Sequence, residues 1–156
     1  MNSINKYSRH RARKLALQAL YQWQMAATDL IELNDQYIVE MNPKKVDIDY
    51  FRILVDGITQ SASALDQTLS GYLDREFEQV GPIELTILRI GIYELKNRLE
   101  VPYRVVMNEA IELCKTYGPE QSHKYINGIL DKITKETRQL EIQDGHHWIW
   151  HHRALF

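Results

Sequence analysis

Apolar residues recur at steps of three and four along most of the chain, which is the period of a helix. Over residues 8–27 the face is Ala12, Ala16, Ala19, Leu20, Trp23 and Ala27, with Ser8 placed to cap its start. Residues 29–41 repeat the pattern with Leu30, Leu33, Tyr37, Ile38 and Met41 behind a Thr28 or Asp29 cap. Asn42-Pro43 stops it, because the residue before proline is driven out of the α region. A long third pattern opens at Asp47 and runs through Tyr50, Phe51, Leu54, Val55, Ile58, Ala62, Leu65, Leu69 and Tyr72. Gly57 interrupts this helix at a cost of ~1 kcal/mol against alanine without ending it. At 1.5 Å per residue, a helix over 47–73 spans roughly 40 Å, enough to join two helical subdomains.

Gly81-Pro82 opens the next helix, since proline in the first turn has no N–H to waste. Leu85, Leu88, Ile92, Leu95 and Leu99 define its face to about Arg98, and Val101-Pro102 breaks the chain again. Residues 103–117 follow with Val106, Ala110, Leu113, Cys114 and Tyr117, and Gly118 reads as the residue just past a helix end. Pro119 opens the last helix, whose core face is Tyr125, Ile126, Ile129, Leu130 and Ile133. Six helices with no strand pattern, and all four prolines at helix boundaries, predict an all-α bundle. Residues 1–138 read as one domain. Residues 139–156, ending in a His/Trp-rich stretch, read as a flexible extension outside the core.

Composition agrees with a folded domain. The 156 residues are 44% hydrophobic and 26% charged, which excludes wholesale disorder. The single cysteine, Cys114, excludes an intramolecular disulfide framework and a cysteine-based zinc site. No uncharged apolar run approaches the ~18 residues of a membrane span. Leu15 to Thr28 carries three glutamines and follows a basic segment, so it does not read as a signal peptide. The expectation is a cytoplasmic domain that does not enter a membrane.

The net charge of −2 hides an asymmetry. Lys6, Arg9, Arg11, Arg13 and Lys14 fall within nine positions, and the first acid is Asp29. All 21 acids therefore lie beyond residue 28, on a body that is acidic overall. The basic arm favours a polyanion, and the acidic body can receive a basic protein. The plainer alternative is a solvated basic helical turn. Arg offers phosphate a planar fork and Lys a point charge. Tyr7, Tyr21 and Trp23 lie nearby, and aromatic rings beside cations are what readers of unpaired bases use. Trp23 falls on the apolar face and reads as core. Tyr21 lies beside that face, so its ring can pack while its hydroxyl reaches a ligand.

Other candidate chemistry is thin. There is no phosphate-cradling glycine loop, nucleophile elbow or His-Glu-x-x-His helix. His147 and His151 share a helical spacing that metal ligands use, but a chain terminus does not preorganise them. His123 and Asn127, with Lys124 beside them, form a polar face on the last helix. Asn108 and Asn127 sit within apolar patterns and are expected to be semi-buried amides with partners. No catalytic residue, cofactor or metal is expected.

The opening Ser8-Arg-His-Arg-Ala-Arg-Lys-Leu-Ala-Leu-Gln-Ala-Leu-Tyr-Gln-Trp-Gln resembles the start of bacterial NusB proteins. The resemblance continues through Asp49-Tyr-Phe-Arg, Leu88-Arg-Ile-Gly-Ile-Tyr-Glu-Leu, Val101-Pro-Tyr-Arg-Val-Val-Met-Asn-Glu-Ala-Ile-Glu-Leu and Ser122-His-Lys-Tyr-Ile-Asn-Gly-Ile-Leu-Asp-Lys. The blocks keep their order and spacing from Ser8 to Lys135. The resemblance implies a NusB-like bundle of six or seven helices in two packed subdomains. It also implies a non-enzymatic transcription antitermination factor that binds boxA of nascent ribosomal RNA together with NusE, a ribosomal small-subunit protein. NusA, NusG and RNA polymerase would complete the assembly. The alternative is a NusB-like assembly module without RNA specificity of its own, or one attached to an enzyme, as in certain ribosomal RNA cytosine methyltransferases. With no catalytic domain expected downstream, the enzyme version is disfavoured.

The resemblance maps the family's Arg-rich motif onto Arg9, Arg11 and Arg13, with His10 where many members have another Arg. Tyr21 matches a family tyrosine near the RNA site, and Gln121 stands where relatives are often acidic. The expected RNA-binding set is Lys6, Arg9, Arg11, Arg13, Lys14, Tyr21, Gln121, Lys124 and Tyr125. The expected NusE-binding set is Glu78, Glu84 and Tyr93, with Tyr93 one position off the apolar face and equally placed for the core.

Overall fold

The computed structural model describes residues 2–143, with side chains from Lys6 onward. His147, His151 and the rest of the terminal aromatic stretch lie outside the described residues. Six α-helices run as α1 (Asn2–Ala26), α2 (Leu30–Ile38), α3 (Ile48–Ser70), α4 (Pro82–Asn97), α5 (Tyr103–Tyr117) and α6 (Ser122–Thr137). A short 3-10 turn at Phe77–Gln79 precedes α4. No strand occurs among the described residues.

The fold has two helical groups sharing one core. α1 and α2 pack against α3, while α4, α5 and α6 form a three-helix unit. α3 and α1 both pack on α4, so the two groups close over a continuous set of buried residues that includes Leu17, Phe51, Ile58, Leu88, Leu113 and Leu130. α3 meets α4 closely because Gly57 leaves room. A Cβ there would lie 2.2 Å from the Tyr93 hydroxyl oxygen. The glycine that interrupts the helical pattern is thus the seat of the Tyr93 ring, which packs partly buried between the two groups.

Several boundaries differ from the sequence expectation. α1 begins at Asn2 rather than at a Ser8 cap, because residues 2–7 contain no glycine or proline to stop it. Ser8 is instead buried inside the helix, and its carbonyl accepts from the Asp47 amide at 3.1 Å. Ala27, expected on the apolar face, is exposed with φ 53° and terminates α1, taking the left-handed position usual for helix ends. Asp29 and Asp47 do cap α2 and α3, accepting from the Ile31 and Tyr50 amides at 3.2 and 3.0 Å. Gly118 has φ −83°, so it is not a left-handed stop. Glycine fits there because a Cβ would come 2.9 Å from the Cys114 carbonyl oxygen. The left-handed residue is Gln121, at φ 73°, and α6 starts after it rather than at Pro119. Asn108 and Asn127 are both exposed, Asn127 one step of 100° beyond buried Ile126 and Asn108 two steps from both Val106 and Ala110.

The domain does not end at residue 138. Arg138 is buried and donates to the carbonyls of Leu95 (2.8 Å), Val101 (3.0 Å), Glu94 (3.2 Å) and Arg98 (3.2 Å). One guanidinium thus gathers the carbonyls at and just beyond the end of α4, among them that of Leu95 in its last turn. Arg138 also donates to Glu141, whose other oxygen accepts from the Tyr103 amide at 2.9 Å, at the start of α5. Residues 139–143 are helical, so the chain is held to the bundle through at least Glu141.

Candidate nucleic-acid interface

The basic segment folds as the second to fourth turns of α1, and the helix sorts its cations. Arg13 points inward and is only 2% exposed. Its Nε and Nη2 grip both oxygens of Glu94, itself 1% exposed, at 2.9–3.1 Å, and Nη1 reaches Glu109 at 3.2 Å. The buried Tyr50 hydroxyl donates to the same Glu94 carboxylate. Burial works against the Arg13 charge, but the field and hydrogen bonds of Glu94 outweigh it and raise the guanidinium pKa further. Burial, and then Glu94, push the Tyr50 phenol up, so it keeps the proton it donates. Arg13 is therefore a structural ion-pair residue, and the expectation that it contacts RNA phosphate is corrected. A guanidinium this buried and held by two carboxylates does not reach a phosphate on the surface.

Arg9 has a split role. Its guanidinium lies 4.4 Å from the centre of the Tyr50 ring and its Nε is 3.5 Å from Asp47, yet the side chain stays about one-third exposed. His10 turns toward α5, where Nδ1 sits 2.7 Å from Glu109. The outward positions are Tyr7, Arg11, Lys14, Gln18 and Tyr21, spaced by four and three, so they share one face of α1. Tyr7 is 61% exposed, Arg11 and Gln18 are exposed, and Lys14 and Tyr21 are half-buried. Lys6 is exposed one residue before Tyr7. Neither Arg11 nor Lys14 pairs with an acid among the described residues. Two cations bracketed by two tyrosines thus line a stripe roughly 21 Å long. That arrangement offers phosphate donors between two stacking platforms.

The end of α5 meets this stripe. Gln18 donates to the Tyr117 hydroxyl at 3.0 Å, and Tyr117 is the last residue of α5, four before Gln121. Gln121 and Lys124 are both exposed, Lys124 in the first turn of α6. Tyr125 does not join them. Its ring lies under the Arg75 guanidinium at 4.1 Å, and burial pushes its phenol up, with Asp74 and Glu84 contributing. It faces Arg75 and the acidic candidates instead.

Those candidates gather where α4 begins. Glu78 is exposed on the 3-10 turn. Glu84, half-buried in the first turn of α4, folds back until a Cβ at Gly81 would touch its Oε1 at 2.5 Å. An acid there also suits the positive end of the helix. Gln24, near the end of α1, donates to the Pro82 carbonyl at 3.0 Å. The cationic turns of α1 and the acidic start of α4 therefore lie about 20 Å apart along one helix. Tyr93, more than two turns further along α4 and packed on Gly57, stands apart from both acids.

Among the described residues no cluster of three or more His, Cys, Asp or Glu could hold a metal ion, and no helix is long and apolar enough to cross a membrane. Burial pushes the Cys114 thiol up to about 11, so it is not a thiolate at neutral pH. The sequence reading missed Lys44 and Lys45, which the fold brings beside Arg11. Its guanidinium donates to the Lys45 carbonyl at 3.3 Å. Only the Lys-Lys pair itself was visible in sequence.

Comparison with known proteins agrees with this architecture. The family model described as NusB family matches residues 10–135. The transcription antitermination protein NusB of Serratia proteamaculans is 47% identical over 132 residues, covering 85% of this chain and 96% of that protein. Its counterpart from Yersinia pestis is 46% identical with the same coverage. Among solved structures, NusB of T. maritima superposes with a TM-score of 0.72 at 30% identity, covering 81% of this chain and 90% of that one.

Proposed function

The chain belongs to the NusB family, whose members named above are transcription antitermination proteins, and on that premise we propose that it binds boxA of nascent ribosomal RNA jointly with NusE. The single observation that carries the RNA half is the outward stripe of α1, where Arg11 and Lys14 lack acidic partners among the described residues and stand between Tyr7 and Tyr21. Lys6 and Arg9 extend it at one end, and exposed Gln121 and Lys124, which follow Tyr117 in the chain, are the proposed contacts at the other. Arg13 acts behind the stripe by fixing the rotation of α1 on α4 and α5. The acidic start of α4, with Glu78 and Glu84, is the proposed seat of NusE, and Tyr125 moves to that side. NusA, NusG and RNA polymerase would then meet the pair in the larger complex. No catalytic role is assigned, in keeping with a family of regulatory factors.

Four surface cations on α1 set the expected salt dependence. Each neutralised phosphate contributes roughly −0.7 to the slope of log affinity against log salt for a single strand. Titrating boxA RNA into the full chain between 50 and 300 mM salt should give a slope of about −2 to −3 from these four cations, and a steeper one if further cations meet phosphate. No measurable affinity at the lowest salt would leave the chain an assembly module instead. On the other surface, Glu78→Lys combined with Glu84→Lys should slow association with NusE and weaken binding, while affinity for RNA without NusE changes less than about twofold. Surface plasmon resonance with immobilised NusE checks this, and unchanged NusE binding would remove both acids from that site.

A further inference from the structure

We propose that Lys44 and Lys45, at the tip of the α2–α3 loop, form a second phosphate anchor, so that single-stranded RNA is held by two chain segments rather than by α1 alone. The inference rests on the RNA-binding reading of α1 and adds a site that the basic arm does not contain.

The loop is built to present these lysines. The Asn42 side-chain oxygen accepts from the Lys44 amide at 3.0 Å, and the Asn42 carbonyl accepts from Lys45 and Val46 amides, both at 2.9 Å. Val46 is buried and anchors the turn, while Lys44 and Lys45 are exposed. Three contacts then hold the loop to α1. Arg11 donates to the Lys45 carbonyl at 3.3 Å, the Asp47 amide donates to the Ser8 carbonyl at 3.1 Å, and Arg9 lies 3.5 Å from Asp47. The lysine pair is therefore carried at a fixed place beside Arg11, not on a free loop.

The charge around the tip is accounted for. Asp47 is occupied, with one oxygen capping α3 and the other facing Arg9. Glu40 and Asp49 are exposed at the two borders of the loop, and Arg52 is exposed one turn beyond Asp49. The cationic part is thus the two-residue tip that meets Arg11. No ion pair of Lys44 or Lys45 occurs among the described residues. Arg11 has its backbone contact on this side, and Lys14 lies one turn further along the same face, so Lys44, Lys45, Arg11 and Lys14 make a track that crosses the helix. A strand on that track passes phosphates from loop to helix before reaching Tyr21.

The test compares the full-length parent, Lys44→Gln/Lys45→Gln, Lys44→Arg/Lys45→Arg and Arg11→Gln in a salt series with boxA RNA. If both lysines meet phosphate, the glutamine pair flattens the slope by about 1.4 and weakens binding roughly 25-fold at 0.1 M salt. The arginine pair, which keeps both charges, should restore the parental slope. A parental slope in the glutamine pair, with a flattened slope in Arg11→Gln, overturns the second anchor and leaves the α1 reading standing. Parental slopes in all variants overturn both. Weaker binding at an unchanged slope also overturns the anchor, because it signals altered structure rather than lost charge.

Discussion

Replacing Arg13 with alanine will destabilise the protein by about 3–5 kcal/mol, the cost of leaving one member of a buried ion pair alone. Glu94 would remain inside the core without its two-pronged partner, with only the Tyr50 hydroxyl still donating to it. For a domain of this size the melting temperature should fall by roughly 6–20 °C. Arg13→Lys keeps a charge but not the fork, and should fall between alanine and the parent. Thermal denaturation followed by circular dichroism checks both. At temperatures where the alanine variant is still folded, its affinity for RNA should approach the parental value. A melting temperature within about 2 °C of the parent would show that the Arg13–Glu94 pair does not hold the two helical groups together.

Neutralising the outward stripe should do the reverse. Arg11→Gln with Lys14→Gln removes two cations that have no acidic partner among the described residues, so stability should change by no more than about 0.5 kcal/mol per site. Affinity for boxA RNA at 0.1 M salt should drop roughly 25-fold, and the salt slope should flatten by about 1.4. Fluorescence anisotropy with labelled RNA reads both quantities. Arg11 and Arg13 are two residues apart, so this pair of experiments separates a contact from a scaffold within one helical turn. Parental affinity in the stripe variant would remove RNA from this face of α1.

Much of the fold was legible because helices carry their period and their stops in the local sequence. The Asp29 and Asp47 caps and the Pro82 start lie where side-chain chemistry and proline geometry put them. The start of α1 was not legible. A helix runs on until something stops it, and nothing between Asn2 and Ser8 does. The Arg13 role was half legible. Arg13, Ala16, Leu17 and Leu20 follow the spacing of a buried face, so the position itself was a signal against exposure. Glu94 sits likewise among Gly91, Leu95 and Leu88. What sequence could not supply was the pairing across 81 positions, since ion pairs leave no period. Lys44 and Lys45 were missed for the same reason, because only the packed loop brings them to Arg11. Tyr125 was misplaced because its helix begins after the left-handed Gln121 and carries it toward Arg75 and Glu84.

The central claim is that one helix links a cationic surface for RNA to an acidic surface for a basic protein, and that the two partners assist each other. Docking a basic NusE at the start of α4 would extend the positive track that RNA follows. Binding linkage then requires each partner to raise the affinity for the other by one common factor. The direct measurement is a titration of boxA RNA into the full chain, with and without saturating NusE, at one fixed salt concentration. Tighter binding by roughly 5–150-fold in the presence of NusE, equivalent to about 1–3 kcal/mol of coupling, is the predicted result. Identical dissociation constants in the two titrations would contradict it and leave the surfaces independent.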